Sequence, residues 1–250
     1  MLVSPIALQS TLNKMKELKA RLIEKIPRTG SVKSFRFIPE EEFDFLPGQA
    51  AQLIFDPQDK TDRELNKYLS FSSSPTKGYL EFTKRMSSSK FSQALERLNN
   101  GDEVLLKTPV GNCVFRDDYA KIGFLIGGIG ITPVISIIEY IVDRGLSTDA
   151  LLLYSNRTDD DIAFKKELDF WQGQNKNIKV SYIVTDCQPR DKTCIRGVID
   201  KEMMVEKVYE LNKRMFFIFG PPKMVEAMDN LCLDLGCSKD NIKTERFVGY

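Results

Sequence analysis

The hydrophobic pattern of this 250-residue chain changes near residue 117. Before that point, short β-type runs alternate with turn signals such as Pro47-Gly48 and Lys77-Gly78, which is typical of a small barrel or sandwich. After it, apolar runs of strand length alternate with longer segments of helical period, as in parallel βαβ units. The chain is therefore predicted to form two domains, a β-domain over residues 15–116 and an α/β domain over residues 117–250.

The same periodicities predict the individual elements. In the first half, strands are expected at residues 32–38, 50–55, 69–73, 79–83 and 104–108, with one helix at 91–98. In the second half, strands are expected at 122–126, 151–154, 178–184 and 216–219, and helices at 133–143, 161–171, 201–211 and 223–235. Residues 1–13 are expected to form a loosely held tail.

The chain contains no histidine, which excludes Ser-His-Asp hydrolases, Cys-His proteases and His-ligated metal sites. Lys and Arg total 36 against 35 Asp and Glu, so the net charge of +1 gives no bulk attraction to nucleic acid. The 5 cysteines lack metal or ferredoxin spacing and are expected to be reduced thiols, with no metal bound. Because neither a signal peptide nor a run of about 20 apolar residues is found, a cytoplasmic protein without a membrane span is expected.

The clearest local signal is a glycine-rich turn between a predicted strand and a predicted helix. Residues 122–133 read IGFLIGGIGITP, in which Thr132 suits an N-cap and Pro133 the first helical position. Glycines let a backbone approach a diphosphate closely, and a helix N-terminus supplies free N–H groups. The alternative is a tight turn that serves packing alone, because the spacing is not GxGxxG.

Two further strand ends are expected at the same edge of the α/β sheet. In Ser155-Asn156-Arg157-Thr158, Arg157 suits a phosphate, whereas the following run Asp159-Asp160-Asp161 would repel one. We interpret the aspartates as caps of the next helix. Their negative charge would also repel the 2′-phosphate of NADPH, and it therefore favours NADH over NADPH. Gly220-Pro221-Pro222 forms either a second wall of a nucleotide site or a rigid turn without a ligand.

Two segments of the β-domain combine hydroxyl groups with cations. Residues 67–75 read KYLSFSSSP, and Lys84-Arg85 precedes a serine-rich helix start at residues 87–92. Such segments can hold a ring system with a phosphate tail. An exposed polar strand and an ordinary helix start would look the same.

Together these segments resemble the ferredoxin–NADP reductase superfamily of two-domain flavoproteins, which includes oxygenase reductases and cytochrome b5 reductases. The resemblance runs from about residue 18 to residue 250 and rests on seven motifs in the family's order. These motifs are FLPGQ (45–49), KYLSFSSSP (67–75), GDEV with PVG (101–104 and 109–111), GGIGITP (127–133), SNRT with FKKEL (155–158 and 164–168), GPP (220–222) and ERFVGY (245–250). The resemblance implies an antiparallel Greek-key β-barrel that binds FAD, followed by a parallel-sheet, Rossmann-like α/β domain that binds NAD(P)H.

The resemblance also implies roles for single residues. Ser70, near the reactive N5 edge of the flavin, and Glu245 are the catalytic candidates. The residues expected to contact FAD are Lys67, Leu69, Ser70, Thr83, Lys84, Ser89, Phe91, Ser92 and Phe247. Those expected to contact the nicotinamide dinucleotide are Gly127, Gly128, Gly130, Ile131, Thr132, Pro133, Asn156, Arg157, Gly220, Pro221, Pro222 and Met224.

Three positions depart from the family pattern. Lys67 replaces an arginine and loses its bidentate fork. Leu69 replaces the tyrosine that packs on the flavin, which leaves Tyr68 or a C-terminal aromatic residue as substitutes. Phe219 replaces the cysteine that the family places near the nicotinamide. Activity is still expected, because the cofactors carry the chemistry of hydride transfer and the protein orients them.

The resemblance implies an FAD-dependent NAD(P)H oxidoreductase. It would pass a hydride from nicotinamide to FAD and then electrons to a separate protein acceptor, such as a ferredoxin or an oxygenase component. One alternative, motivated by Phe219, is a flavin-binding electron-transfer or regulatory subunit that is active only in a larger complex. Another, motivated by Lys67 and Leu69, is a nucleotide-binding module without flavin.

Overall fold

The computed structural model describes residues 15–247. The predicted tail at residues 1–13 and the last three residues of the ERFVGY motif lie outside the described residues. No helix in the described part of the chain is both long and apolar enough to cross a membrane.

Six antiparallel strands form the first sheet. They are β1 (Lys16–Pro27), β2 (Val32–Pro39), β3 (Ala50–Ile54), β4 (Asn66–Ser70), β5 (Leu80–Arg85) and β6 (Glu103–Val110), in the spatial order β4-β3-β6-β1-β2-β5. A bridge between Phe71 and Phe82 brings the two edge strands together, so the sheet is nearly closed. The return of β6 to a place between β1 and β3 is a Greek-key connection, and the predicted antiparallel barrel is confirmed. The helix α1 (Lys90–Arg97) follows β5.

The longest strand of this sheet, β1, is missing from the sequence prediction. Leu18, Ala20 and Leu22 are buried at every second position, whereas most residues between them are charged and exposed. The charged face hides the short apolar alternation in a simple reading of hydropathy. Strand β1 nevertheless pairs with both β2 and β6 and lies inside the sheet.

Six parallel strands form the second sheet, and helices flank it. The strands are β7 (Lys121–Gly127), β8 (Asp149–Asn156), β9 (Ile178–Val184), β10 (Cys194–Arg196), β11 (Met215–Gly220) and β12 (Ile242–Arg246), in the order β10-β9-β8-β7-β11-β12. The helices are α2 (Thr132–Asp143), α3 (Lys165–Gln174), α4 (Lys201–Lys207) and α5 (Pro222–Asp234). Strand order reverses beside β7, which creates a crevice at the carboxyl ends of the strands. The predicted parallel α/β fold is confirmed, and the short β10 and the C-terminal β12 add to the predicted strands.

Two helix starts differ from the prediction. A 3-10 turn, Gly128–Ile131, comes before α2, so Thr132 is already helical and its hydroxyl donates to the Ile129 carbonyl at 3.2 Å instead of capping the helix. The helix expected from residue 161 begins at Lys165, because Phe164 takes the left-handed conformation with φ 61°. The Asp159–Asp161 run forms a separate 3-10 turn and does not cap α3, contrary to our interpretation.

Strands β6 and β7 are joined by residues 111–120, and the predicted boundary at residues 116 and 117 falls within this connection. The division into domains 15–116 and 117–250 stays a prediction.

Candidate functional site

A cavity of about 320 Å³ opens at the carboxyl edge of the parallel sheet, at the strand-order reversal. It is lined by Arg85, Gly127, Gly128, Ile129, Ser155, Asn156, Arg157, Thr185, Pro221 and Met224. Six of these residues were predicted to contact the dinucleotide. They come from three different strand ends, and β5 of the barrel adds Arg85. We refer to this space as the edge cavity.

The two glycine-containing turns of the edge cavity pack backbone against backbone. A Cβ atom on Gly220, where φ is +155°, would lie 3.2 Å from the Gly127 Cα, and one on Gly127 would collide with Met224 Sδ. A Cβ on Gly130 would lie 2.5 Å from the Phe219 carbonyl oxygen. Backbone packing therefore requires Gly130, and the positive φ favours glycine at position 220, whereas a Cβ on Gly127 would meet chiefly the flexible end of the Met224 side chain. At Gly128, by contrast, the nearest atom to an added Cβ is an Arg85 nitrogen at 3.8 Å, so this position faces open space.

Several residues predicted at the dinucleotide do not line a cavity. Gly130, Ile131 and Pro133 are buried in the turn and the first helical residues beneath it. Gly220 contacts the opposite turn, and Pro222 is an exposed first residue of α5. These residues shape the turns by packing. Packing was the alternative to ligand binding that the sequence left open.

The Asn156 side chain is the most informative polar group of the edge cavity. The residue is 5% exposed, and neither its amide nitrogen nor its amide oxygen has a hydrogen-bond partner within residues 15–247. An unpaired buried amide is costly, so a ligand that pairs with it would relieve the cost. This observation fits a polar ligand such as the predicted dinucleotide.

The charge on Arg157 is already paired. Its Nε donates to the Asp186 carboxylate at 3.0 Å, and the Asp186 amide donates to the Arg157 carbonyl at 2.9 Å. A hydrogen bond from the Thr185 hydroxyl, followed by the charge on Arg157, lowers the pKa of Asp186. A negative group therefore stands beside the one basic residue that was predicted to meet a 2′-phosphate.

Two residues of the acidic run at residues 159–161 bind the loop before β10 and not the edge cavity. The Asp159 carboxylate accepts the backbone N–H groups of Arg190 and Asp191 at 2.9 and 3.2 Å, and Asp160 pairs with the Arg190 guanidinium. None of Asp159, Asp160 and Asp161 lines the edge cavity. Asp159 and Asp160 thus fix the loop before β10. The acidic residue that pairs with Arg157 is Asp186, which was not predicted from the sequence.

A second cavity, of about 140 Å³, lies between the barrel and the α/β domain. It is lined by Lys67, Tyr68, Leu69, Ser70, Thr83, Lys84, Arg85, Ser89, Ile129, Thr132 and Phe247. Seven of these residues were predicted to contact FAD, and Thr132 was predicted to contact the dinucleotide. Arg85 and Ile129 also line the edge cavity, so the two spaces adjoin. We refer to the second space as the barrel cavity.

Three cations converge on the barrel cavity without an acidic partner. Lys67, Lys84 and Arg85 form no ion pair with any residue within 15–247. Burial, and then the charge on Lys67, lower the pKa of Lys84, whose Nζ donates to the Arg85 carbonyl at 3.0 Å. Uncompensated positive charge in a partly buried space suits an anion such as the diphosphate of FAD.

The predicted FAD residues divide into two groups. Ser89 lines the barrel cavity and caps α1 through the Ser92 amide, whereas Ser92 is buried and bonded to Ser87. Phe91 is fully buried in the barrel core, edge-on to Phe55 with ring centroids 5.4 Å apart. The side chains of Phe91 and Ser92 therefore do not reach the cavity. Thr83 lines it, although its hydroxyl lies 2.6 and 2.7 Å from those of Ser34 and Ser72.

Glu245 lies behind the two cavities and lines neither. It is paired in register with Phe219, and burial raises its pKa. Burial, and then the charge on Glu245, raise the pKa of the Cys113 thiol to about 11. Phe219 is fully buried, with its ring centroid 6.0 Å from that of Phe217, so an aromatic ring fills the family's cysteine position.

A near-closed antiparallel barrel, a parallel sheet and adjoining cavities at its switch point define a two-domain dinucleotide-dependent oxidoreductase. The family model of the oxidoreductase FAD-binding domain matches residues 19–115, and that of the oxidoreductase NAD-binding domain matches residues 124–230. The chain therefore carries an oxidoreductase FAD-binding domain followed by an oxidoreductase NAD-binding domain, the pair of domains that the resemblance implied.

Curated relatives and solved structures agree with this assignment. The chain is 28% identical over 241 residues to NADH-cytochrome b5 reductase 1 of Dictyostelium discoideum, which covers 94% of this chain and 84% of the relative. It is 29% identical over 222 residues to an NADH-cytochrome b5 reductase-like protein of Arabidopsis thaliana, covering 86% and 67%. The cytochrome b5 reductase domain of Ulva prolifera nitrate reductase superimposes with a TM-score of 0.78 at 23% identity, covering 92% of this chain and 97% of that one.

Proposed function

We propose that this chain is a reductase that uses NADH to reduce FAD and passes the electrons to a separate redox protein. The observation that carries the proposal is the junction of the two cavities at Arg85 and Ile129, which brings a dinucleotide site and a flavin site into contact. When bound, FAD accepts a hydride from the reduced nicotinamide and releases electrons to an acceptor. The protein has to bind both groups, orient them and keep water away from them.

We assign the barrel cavity to FAD. Lys67, Lys84 and Arg85 supply the positive charge for its diphosphate, and Ser89 adds a hydroxyl at the rim. Leu69 and the 61% exposed Tyr68 provide apolar surface for the ring system, together with Phe247. Ser70, which is 4% exposed and lines this cavity, would hold its hydroxyl beside the bound flavin.

We assign the edge cavity to the nicotinamide dinucleotide. The turn at Gly127 and Gly128 offers backbone to the diphosphate at Gly128, where an added Cβ would meet no atom closer than 3.8 Å. The Asn156 amide pairs with a polar group of the nucleotide, and Pro221 and Met224 form the apolar wall. Glu245 is retained as a catalytic candidate because it lies two residues before Phe247, which lines the barrel cavity.

We propose NADH as the preferred reductant, with Asp186 as the residue that decides the choice. Its carboxylate neutralises Arg157 and would lie close to a 2′-phosphate, which raises the cost of binding NADPH. The relatives named NADH-cytochrome b5 reductases support NADH as the reductant and a protein like cytochrome b5 as the acceptor. A cytoplasmic location and a domain boundary at residues 116 and 117 complete the proposal.

The visible spectrum of the purified protein tests the proposal. The protein is saturated with FAD under anaerobic conditions, and NADH or NADPH is then added to separate samples. We expect a flavin band that NADH bleaches faster than NADPH. A band that neither nucleotide bleaches would favour the regulatory-subunit alternative, and failure to bind FAD would favour the nucleotide-binding module without flavin.

A further inference from the structure

Arg28, at the end of β1, is held tightly by the barrel. Its Nη2 donates to both carboxylate oxygens of Glu81 at 3.0 and 3.1 Å, and its Nε donates to the Ser34 hydroxyl at 2.7 Å. The Glu81 side chain is 2% exposed, and it also accepts hydrogen bonds from Arg36 at 2.8 Å and from the Ser72 hydroxyl at 3.2 Å. The Arg28 side chain, 9% exposed, is therefore fixed by three hydrogen bonds within the β-domain.

The other side of the same guanidinium contacts the α/β domain. Its Nη1 donates to Glu167 on α3, and its central carbon lies 4.2 Å from the centroid of the Phe164 ring. Phe164 adopts the left-handed backbone conformation, which L residues rarely take, and this conformation places its ring over Arg28. One side chain thus links the two parts of the molecule.

The linked segments are the ones that carry the two cavities. Ser72, which bonds to Glu81, follows Ser70 of the barrel cavity by two residues. Phe164 and Glu167 follow the turn that carries Asn156 and Arg157 of the edge cavity, with one 3-10 turn between. A shift of α3 against Arg28 would therefore move one cavity relative to the other.

We propose that Arg28 is a positioning residue for hydride transfer, which acts by fixing α3 of the α/β domain against the flavin-bearing strand of the barrel. This inference rests on the proposed function. Hydride transfer requires the reacting atoms to approach within about 3–3.5 Å, and a misplacement of about 1 Å can cost about 100-fold in rate. Arg28 lines neither cavity, so it acts through geometry and not through contact with a cofactor.

The test uses Glu167→Ala, which removes the ion pair between Arg28 and α3 and leaves the hydrogen bonds of Arg28 within the barrel in place. Substitution of Arg28 itself would leave Arg36 as the only cation paired with the buried Glu81 carboxylate within the described residues and could unfold the barrel. The Glu167 side chain is 37% exposed, so its removal leaves the core intact. The matched control is Glu96→Ala, which removes a glutamate that is 48% exposed and breaks its pair with Lys33 within the β-domain.

We expect Glu167→Ala to lower the limiting rate of flavin reduction at saturating NADH by about tenfold, with unchanged dissociation constants for NADH and FAD. In flavin-free protein, amide hydrogen exchange is expected to rise at residues 72–74 and 164–168. Glu96→Ala should change neither the limiting rate nor this exchange. Wild-type rates with wild-type exchange in Glu167→Ala, or an effect confined to the NADH dissociation constant, would overturn the positioning role. If NADH does not reduce the wild-type flavin at all, the proposed function fails, and the exchange measurement still tests the link.

Discussion

Arg157 Nε lies 3.0 Å from the Asp186 carboxylate, so one of the two arginines at the edge cavity is neutralised by a side chain that follows the next strand of the sheet. This pairing leads to a prediction about nucleotide choice. Asp186→Ser frees the guanidinium and removes a repelling charge, and we expect the affinity for NADPH to rise about tenfold while that for NADH changes little. Dissociation constants of both nucleotides measure the effect.

The matched control for this prediction is Asp160→Ser. Asp160 is also acidic and near this edge, but it pairs with Arg190 and not with Arg157, which lines the edge cavity. From the sequence, the charge of the run that contains Asp159 and Asp160 was expected to favour NADH. The structure moves that expectation to Asp186, because Asp159 binds two backbone amides of the neighbouring loop. An unchanged ratio of NADPH to NADH affinity in Asp186→Ser would remove the assignment.

Ser70 offers a prediction about rate. It lines the barrel cavity, where a hydroxyl beside the flavin acts chiefly in the transition state. Ser70→Ala is expected to slow flavin reduction by about tenfold or more with little change in nucleotide affinity. Stopped-flow reduction over a range of NADH concentrations separates the two quantities. Ser88→Ala, at an exposed serine outside the cavity, is the control, and weakened NADH binding with an unaltered limiting rate in Ser70→Ala would contradict the assignment.

Glu245 makes stability depend on pH in a defined direction. Burial raises its pKa in the folded protein, so the folded state retains the proton at a pH where the unfolded chain has lost it. Its contribution is therefore greatest below the unfolded pKa and is lost as the pH rises through the folded one. Glu245→Gln abolishes this loss, so the variant should gain stability relative to wild type as the pH increases from about 4.5.

The pKa of Glu96 is shifted in the opposite direction from that of Glu245, so Glu96 serves as the comparison. A hydrogen bond from Lys33 lowers its pKa, so its contribution is present above the unfolded pKa and disappears as the pH falls. Glu96→Gln should therefore lose stability relative to wild type at neutral pH and regain it in acid. Urea unfolding across this pH range measures both variants. Parallel pH curves for wild type and Glu245→Gln would show that Glu245 is not desolvated.

Local sequence patterns predicted most of this fold. The apolar runs of β7, β8 and β11 and the helical periods of α2 and α5 appear within single segments, so they need no knowledge of distant residues. The sequence prediction missed strand β1, because the outward face of the strand is charged and only three apolar positions alternate with the charged ones. Phe164 shifted the start of α3 because its left-handed conformation reflects packing on Arg28, 136 positions earlier in the chain.

The sequence predicted only part of the candidate site, because contacts between distant residues leave no local pattern. Motifs that are continuous in sequence, such as Gly127-Gly128 and Lys67 to Ser70, do lie at the cavities. The pairing of Arg157 with Asp186 joins residues 29 positions apart, and no local pattern marks it. Arg85 stands beside Lys84 in a basic segment of the sequence. Its place at both cavities follows only from the way the barrel meets the α/β domain.

Arg85 gives the most direct test of the link between the two cavities. As it lines both and has no ion-pair partner within the described residues, Arg85→Ala should weaken binding of FAD and of NADH, each by about tenfold. Arg63→Ala, at an exposed arginine outside both cavities, should leave both affinities unchanged. Titration of flavin-free protein with each ligand separately, and then with both, also measures whether one ligand alters the affinity for the other. An effect of Arg85→Ala on only one ligand would mean that the arginine belongs to a single site, because a guanidinium shared by two anions must contribute to the binding of each.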